Sequence, residues 1–202
     1  MESTMNRLSL LWVAALALVP LVLGFAPGGR NIIKNGDFEK FTGSEPTGWE
    51  TTNIPNMLTA VSQSTKNHGG KNAVKCEVKD FYGTKMAGML CLKDVDVSGD
   101  SMQLKGFYLL HSVANDRGFL SITFKNANSS AIGSLEELLT KSSGEFVQFS
   151  RRAKIPDTTS KMDLHLTLLA GKESAGVHEG SYVLFDDLEL VVLLEKEQKS
   201  GP

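Results

Sequence analysis

Apolar and polar side chains alternate with a period of two over most of the chain, and the alternation is the signature of half-buried strands. It is cleanest over Lys161–Leu169, where Met162, Leu164, Leu166 and Leu168 share one face and Lys161, Asp163, His165 and Thr167 the other. Val74, Cys76 and Val78 repeat the pattern, as do Leu120, Ile122 and Phe124. Further strands are predicted over Met57–Gln63, Met86–Val97, Met102–Val113, Glu145–Ile155 and Ser181–Leu194. Between them stand turn signals: His68-Gly69-Gly70, Ser98-Gly99-Asp100, Asn115-Asp116-Arg117-Gly118 and Pro156-Asp157. One segment, Ser134–Leu139, reads as a short helix, because Ser134 and Glu137 have the spacing of a capping box. Many strands with short turns predict an all-β fold, an antiparallel β-sandwich.

The N-terminus lies outside this pattern. Arg7 precedes an apolar run, Leu8 to Leu23, and Gly24 and Ala26 supply small residues for a cleavage site. A membrane-spanning helix needs about 20 apolar residues, whereas this run is shorter and contains Pro20. Residues 1–26 are therefore expected to be a signal peptide, with a single sandwich domain over 27–194 and a polar tail over 195–202. The expected location is secreted, extracellular or periplasmic, with no membrane insertion after cleavage. A formal net charge of −2 gives no reason to expect a nucleic-acid partner. Cys76 and Cys91 are either a disulfide or two buried thiols, and nothing in their spacing decides between these.

Four blocks, in order, carry a resemblance. They are Asn31–Glu50 (NIIKNGDFEKFTGSEPTGWE), Asn67–Val74 (NHGGKNAV), Glu145–Pro156 (EFVQFSRRAKIP) and Tyr182–Leu190 (YVLFDDLEL). Together the chain resembles the carbohydrate-binding modules of the galactose-binding-like jelly-roll superfamily, the xylan- and glucan-binding type. The resemblance implies a jelly roll that binds a polysaccharide or oligosaccharide without catalysis. Ile32, Ile33 and Phe38 are expected to plug the sandwich edge, with Gly36 allowing a bend. Trp49 is expected in the core rather than as a sugar platform.

The resemblance also implies a structural calcium where the first and last strands meet. Its ligands would be the side chains of Glu39 and Asp186, the Asp37 carbonyl and backbone oxygens near His68 and Lys71, all hard oxygen donors. His68 departs from the pattern, since some relatives carry an acid there. The competing reading is a solvated edge on which Lys40 or Lys71 pairs the acids. Strand alternation puts Asp186 and Asp187 on opposite faces, so only one of them is expected to point into a given site.

Sugar sites need an exposed aromatic and planar polar groups. Phe81 and Tyr82 are the expected aromatic pair, and Lys161 and His165, with Gln148 from a neighbouring strand, the expected polar partners. A structural or protein-interaction sandwich is the alternative function. Enzyme-like strings fail on context. Ser98–Gln103 (SGDSMQ) lies between strands rather than at a strand-to-helix turn, and Gly171–Gly176 (GKESAG) misses the nucleophile elbow by one position. Asp94–Asp100 (DVDVSGD) resembles the start of a calcium loop, but Lys105 occupies its twelfth position. No enzymatic activity is therefore expected. Asn128-Ser129-Ser130 is a glycosylation sequon.

Overall fold

The computed structural model describes residues 30–193, so the expected signal peptide and the 195–202 tail lie outside the described residues. Within them the chain forms strands and turns only: β1 (Arg30–Asn31), β2 (Phe41–Thr42), β3 (Glu45–Pro46), β4 (Glu50–Thr51), β5 (Val61–Ser64), β6 (Ala73–Phe81), β7 (Thr84–Ala87), β8 (Leu90–Asp96), β9 (Ser101–His111), β10 (Arg117–Lys125), β11 (Ala131–Leu139), β12 (Val147–Lys154), β13 (Lys161–Leu169) and β14 (Tyr182–Leu193). All pairings are antiparallel. The first sheet runs β12-β9-β14-β6-β5, with β1 on β14 and β7 on β6; the second runs β11-β10-β13-β8-β4. A small β2-β3 pair stands apart.

The period-two pattern sorts side chains as the sequence implies. Met162, Leu164 and Leu166 are fully buried and meet Leu120, Ile122 and Phe124 from β10 in one core with Val74, Cys76, Val183 and Phe185 of the first sheet. Each such side chain stabilises the fold by about 1.5–3 kcal/mol. Trp49 belongs to this core and packs on Phe38, ring centroids 5.4 Å apart.

Two expectations are corrected. Ser134–Leu139 is strand, not helix: it forms the outer part of β11, paired with β10 from Gly118↔Leu139 to Lys125↔Ala131. Pairing to β10 along its whole length satisfies the inner edge of its backbone, which outweighs a one-turn capping signal. The predicted strand over Met57–Gln63 begins only at Val61, because Ile54–Leu58 closes a tight bridge first. Gly36 lies in a turn, as expected, and the close approach there is what a side chain would resist. A Cβ there would sit 2.1 Å from the Leu188 carbonyl oxygen, and Leu188 N–H donates to the Gly36 carbonyl at 2.8 Å. The left-handed residues beside it are Asn35 and Phe38.

Candidate functional site

Four of the five residues expected at the calcium site gather at the loop between β5 and β6. Glu39 Oε1 accepts the backbone N–H of Lys71 at 2.7 Å and of Asn72 at 2.9 Å. Asp186 Oδ2 accepts the N–H of His68 at 2.7 Å and of Gly69 at 3.0 Å. The two carboxylates thus clasp one loop from both ends. Asp37, the fifth, faces a cleft next to Asp187. The amides of Lys71 and Asn72 hold Glu39 below the usual carboxylate range. Burial pushes Asp186 above it, in spite of three amide donors. Neither acid forms a salt bridge with a lysine among the described residues, although the Lys71 charge adds to the lowering of Glu39.

The alternation argument fails at Asp186-Asp187. The β14–β9 register shifts between Asp186 and Glu189, and Asp187 takes a left-handed φ of 48°. This bulge turns both acids toward the same loop. Asp187 Oδ2 meets His68 Nδ1 at 2.7 Å, and the His68 ring lies flat on Phe107 with centroids 3.4 Å apart.

The residues expected to touch sugar divide between two faces. Lys161 and His165 lie on the outer face of the second sheet. There the registers align Glu136, Ser121, His165 and Cys91 in one row, and Leu138, Phe119 and Thr167 in the next. Arg117 pairs with Leu169 at the end of this face. Phe119, Leu138 and Leu169 floor a cleft of about 540 Å³, with Arg117, Glu136 and the Glu137–Arg151 ion pair on its walls. Leu138 is 43% exposed and Leu169 37%, so the floor is open to solvent.

Tyr82 and Phe81 stand at the tip of the β6–β7 hairpin. Tyr82 and Gly83 form a two-residue turn with φ of 52° and 84°, the geometry that favours Asn or Gly over an aromatic at the first position. Tyr82 is nonetheless 83% exposed, with Phe81 edge-on behind it at 4.8 Å. The hairpin rises where β13 ends, tied there by the Thr167 hydroxyl donating to the Gly88 carbonyl at 2.9 Å. This is the end of the face that carries Leu169 and Arg117.

Gln148 does not join them. Its strand, β12, pairs with β9 in the first sheet, and Gln148 sits beside Phe107 on that sheet's outer face. The sandwich separates it from His165 and Lys161. The cysteines are separated in the same way, and both are free. Cys76 points into the core toward the Leu166 carbonyl, whereas Cys91 lies beside His165 on the far side of the second sheet. Burial pushes their thiols up to about 12 and about 11.

The sequence reading missed Phe119, Leu138 and Leu169. One signal was available, since Phe119 is an aromatic in the polar phase of β10, between Arg117 and Ser121. Leu138 was hidden inside the presumed helix. Asp116 was also missed. It is buried, and it binds the His178 N–H at 2.7 Å, His178 Nδ1 at 3.0 Å and the Gly171 N–H at 3.3 Å, tying the β9–β10 turn to the β13–β14 loop.

No family model and no curated protein matches the chain. Solved structures do share its fold. It is similar to the enzymatically active domain of bacteriophage CBA120 tailspike protein 4, with a TM-score of 0.59 and 13% identity over 80% of this chain. This chain spans only 21% of that longer one. The similarity to TmCBM61, solved with beta-1,4-galactotriose, has a TM-score of 0.52 at 17% identity and covers 80% of this chain and 97% of that one. For the CBM22-1 xylan-binding domain of Paenibacillus barcinonensis Xyn10C the TM-score is 0.53 at 13% identity, covering 83% and 98%. At these identities the likeness establishes the fold, the jelly-roll sandwich of carbohydrate-binding modules.

Proposed function

We propose that this protein binds a poly- or oligosaccharide, without catalysis, on the outer face of its second sheet. One observation carries the reading: the solvent-open apolar floor of Phe119, Leu138 and Leu169 between the charged walls of Arg117 and Glu136. A pyranose has apolar C–H faces and a rim of hydroxyls, so an apolar floor with planar charged walls complements it. His165 and Lys161 extend the polar surface along β13, and Tyr82 offers an aromatic face at the Leu169 end. The fold alone does not imply this activity; the exposed apolar face is what supports it. The similar structures of TmCBM61 with beta-1,4-galactotriose and of the CBM22-1 xylan-binding domain support the substrate class. Export from the cell, through a signal peptide over residues 1–26, belongs to the same reading.

A structural calcium is part of it. Glu39 and Asp186 would hold the ion with backbone oxygens of Asp37, His68 and Lys71. The support is chemical. Asp186 is a buried carboxylate whose burial outweighs its amide donors, and a cation is what stabilises such a charge. Each acid also keeps a lightly used oxygen: Glu39 Oε2 receives only a 3.4 Å contact from Asn72 Nδ2, and Asp186 Oδ1 only the Asp187 N–H. The ion would brace the β5–β6 loop and take no part in sugar recognition.

Calorimetric titration against soluble xylan, mixed-linkage glucan and β-1,4-galactan tests the sugar site. Phe119→Ala removes the centre of the floor, and losing that apolar contact costs about 1.5–3 kcal/mol, roughly a ten- to hundred-fold drop in affinity. No heat with any of the three glycans would favour a protein-interaction sandwich instead.

A further inference from the structure

The outer face of the first sheet holds a second cleft, of about 480 Å³, on the opposite side of the sandwich from the site above. Its walls come from three places: the segment after β1, the β9–β12 pair and the β14 bulge. Most polar groups in it are already engaged. Asn31 Oδ1 accepts the N–H of Ile33 and of Leu190, Asn35 binds the backbone of Lys40 and Thr47, and Lys105 pairs with Glu189 at 2.9 Å. Two groups are not engaged. The Asp37 carboxylate and the Gln148 amide make no side-chain hydrogen bond among the described residues, and both line the cleft. Phe107, the register partner of Gln148, lines the same cleft; the His68 ring stacks on it at 3.4 Å, and Asp187 Oδ2 meets that ring at Nδ1.

We infer that this cleft binds a single neutral sugar ring, independently of the polysaccharide face. The chemistry selects the class. A free carboxylate accepts from hydroxyls and a free amide both donates and accepts. An immobilised aromatic beside them offers an apolar surface to C–H groups. Asp37 and Asp187 disfavour an anion, and Lys105, the one lysine lining the cleft among the described residues, pairs with Glu189. The volume, about 480 Å³, falls within the usual range of small-molecule sites, about 300–1,000 Å³, and leaves room for a sugar ring. The bulge shapes the site: by turning Asp187 toward His68 it props the loop against Phe107, next to the crossing of Gly36 and Leu188.

Heteronuclear NMR titration of the full chain tests this with glucose, galactose, xylose, arabinose and mannose, each free and as its methyl glycoside. One of these sugars should shift the amide resonances of Gly36, Phe107 and Gln148, with a dissociation constant on the order of 1–10 mM. Gln148→Ala and Asp37→Ala should each weaken that response at least about tenfold, at an unchanged melting temperature. Phe119→Ala should leave it intact, which separates this site from the polysaccharide face. Binding of the methyl glycoside assigns the site to a chain-terminal sugar, and binding of the free sugar alone to a soluble one. The proposal is overturned if no sugar shifts these resonances at about 50 mM, well above the millimolar range. It is equally overturned if the response survives in both variants.

Discussion

At the scale of single residues, two buried carboxylates behave oppositely. Burial raises the pKa of Asp116, but the hydrogen bonds from His178, Ser181 and Gly171 outweigh it and hold the group below the usual range. A depressed folded pKa means that its stabilisation is present above the unfolded value, about 3.9, and is lost as pH falls through the folded one. Asp186 is raised, so its effect has the other sign: it stabilises the fold below the unfolded value, and the gain is lost as pH rises through the folded pKa. Asp116→Ala should therefore lower unfolding free energy at pH 7 by about 2 kcal/mol, the scale of hydrogen bonds to a charged group. The deficit should shrink in acid below about pH 4. Urea denaturation at pH 7 and pH 3 measures both. A deficit independent of pH would place the cost in packing.

At the scale of elements, the meeting of the N-terminal segment with the β14 bulge organises the cleft on the first sheet. Gly36→Ala would drive a Cβ into the Leu188 carbonyl, a backbone atom that cannot step aside. It should cost about 1–3 kcal/mol or more, as overpacking does, and circular-dichroism melting would show it. The β5–β6 loop gives a second test. A ligand held at a hundred-fold excess over its dissociation constant stabilises the native state by about 2.7 kcal/mol. Chelator should therefore lower the melting temperature of calcium-loaded protein, and Asp186→Ala should abolish the response. A chelator-insensitive parent would remove the ion.

At the scale of the whole molecule, the sandwich sets its two clefts on opposite outer faces. The hairpin that displays Tyr82 stands at one end, away from the core. Tyr82→Ala should leave the melting temperature unchanged, because the ring is 83% exposed. Its position at the Leu169 end predicts weaker β-glycan binding, by roughly tenfold, the equivalent of about 1.4 kcal/mol of lost contact. Isothermal titration of this variant beside Phe119→Ala shows whether the hairpin belongs to the same site; equal affinity to the parent would confine recognition to the sheet. Leu164→Ala, by contrast, should lose about 2–5 kcal/mol through cavity formation in the core.

Alternation alone determined the all-β class, nearly every long strand, and which face of each strand is buried, because a half-buried strand cannot satisfy both water and core with any other pattern. Trp49 as a core residue and Tyr82 as an exposed aromatic were legible for the same reason, from an apolar plug after Gly48 and a turn glycine at Gly83. Strand neighbours were not legible, since pairing between distant segments is set by how the sheets close. That is why Gln148 fell on the opposite face from His165, why Cys76 and Cys91 ended on opposite sides of a sheet, and why a capping-box spacing yielded to the β10–β11 ladder. Asp186 and Asp187 mark the limit most sharply. Period two sends adjacent side chains apart, and only the tertiary crossing of Gly36 over Leu188 accompanies the bulge that brings both to one loop.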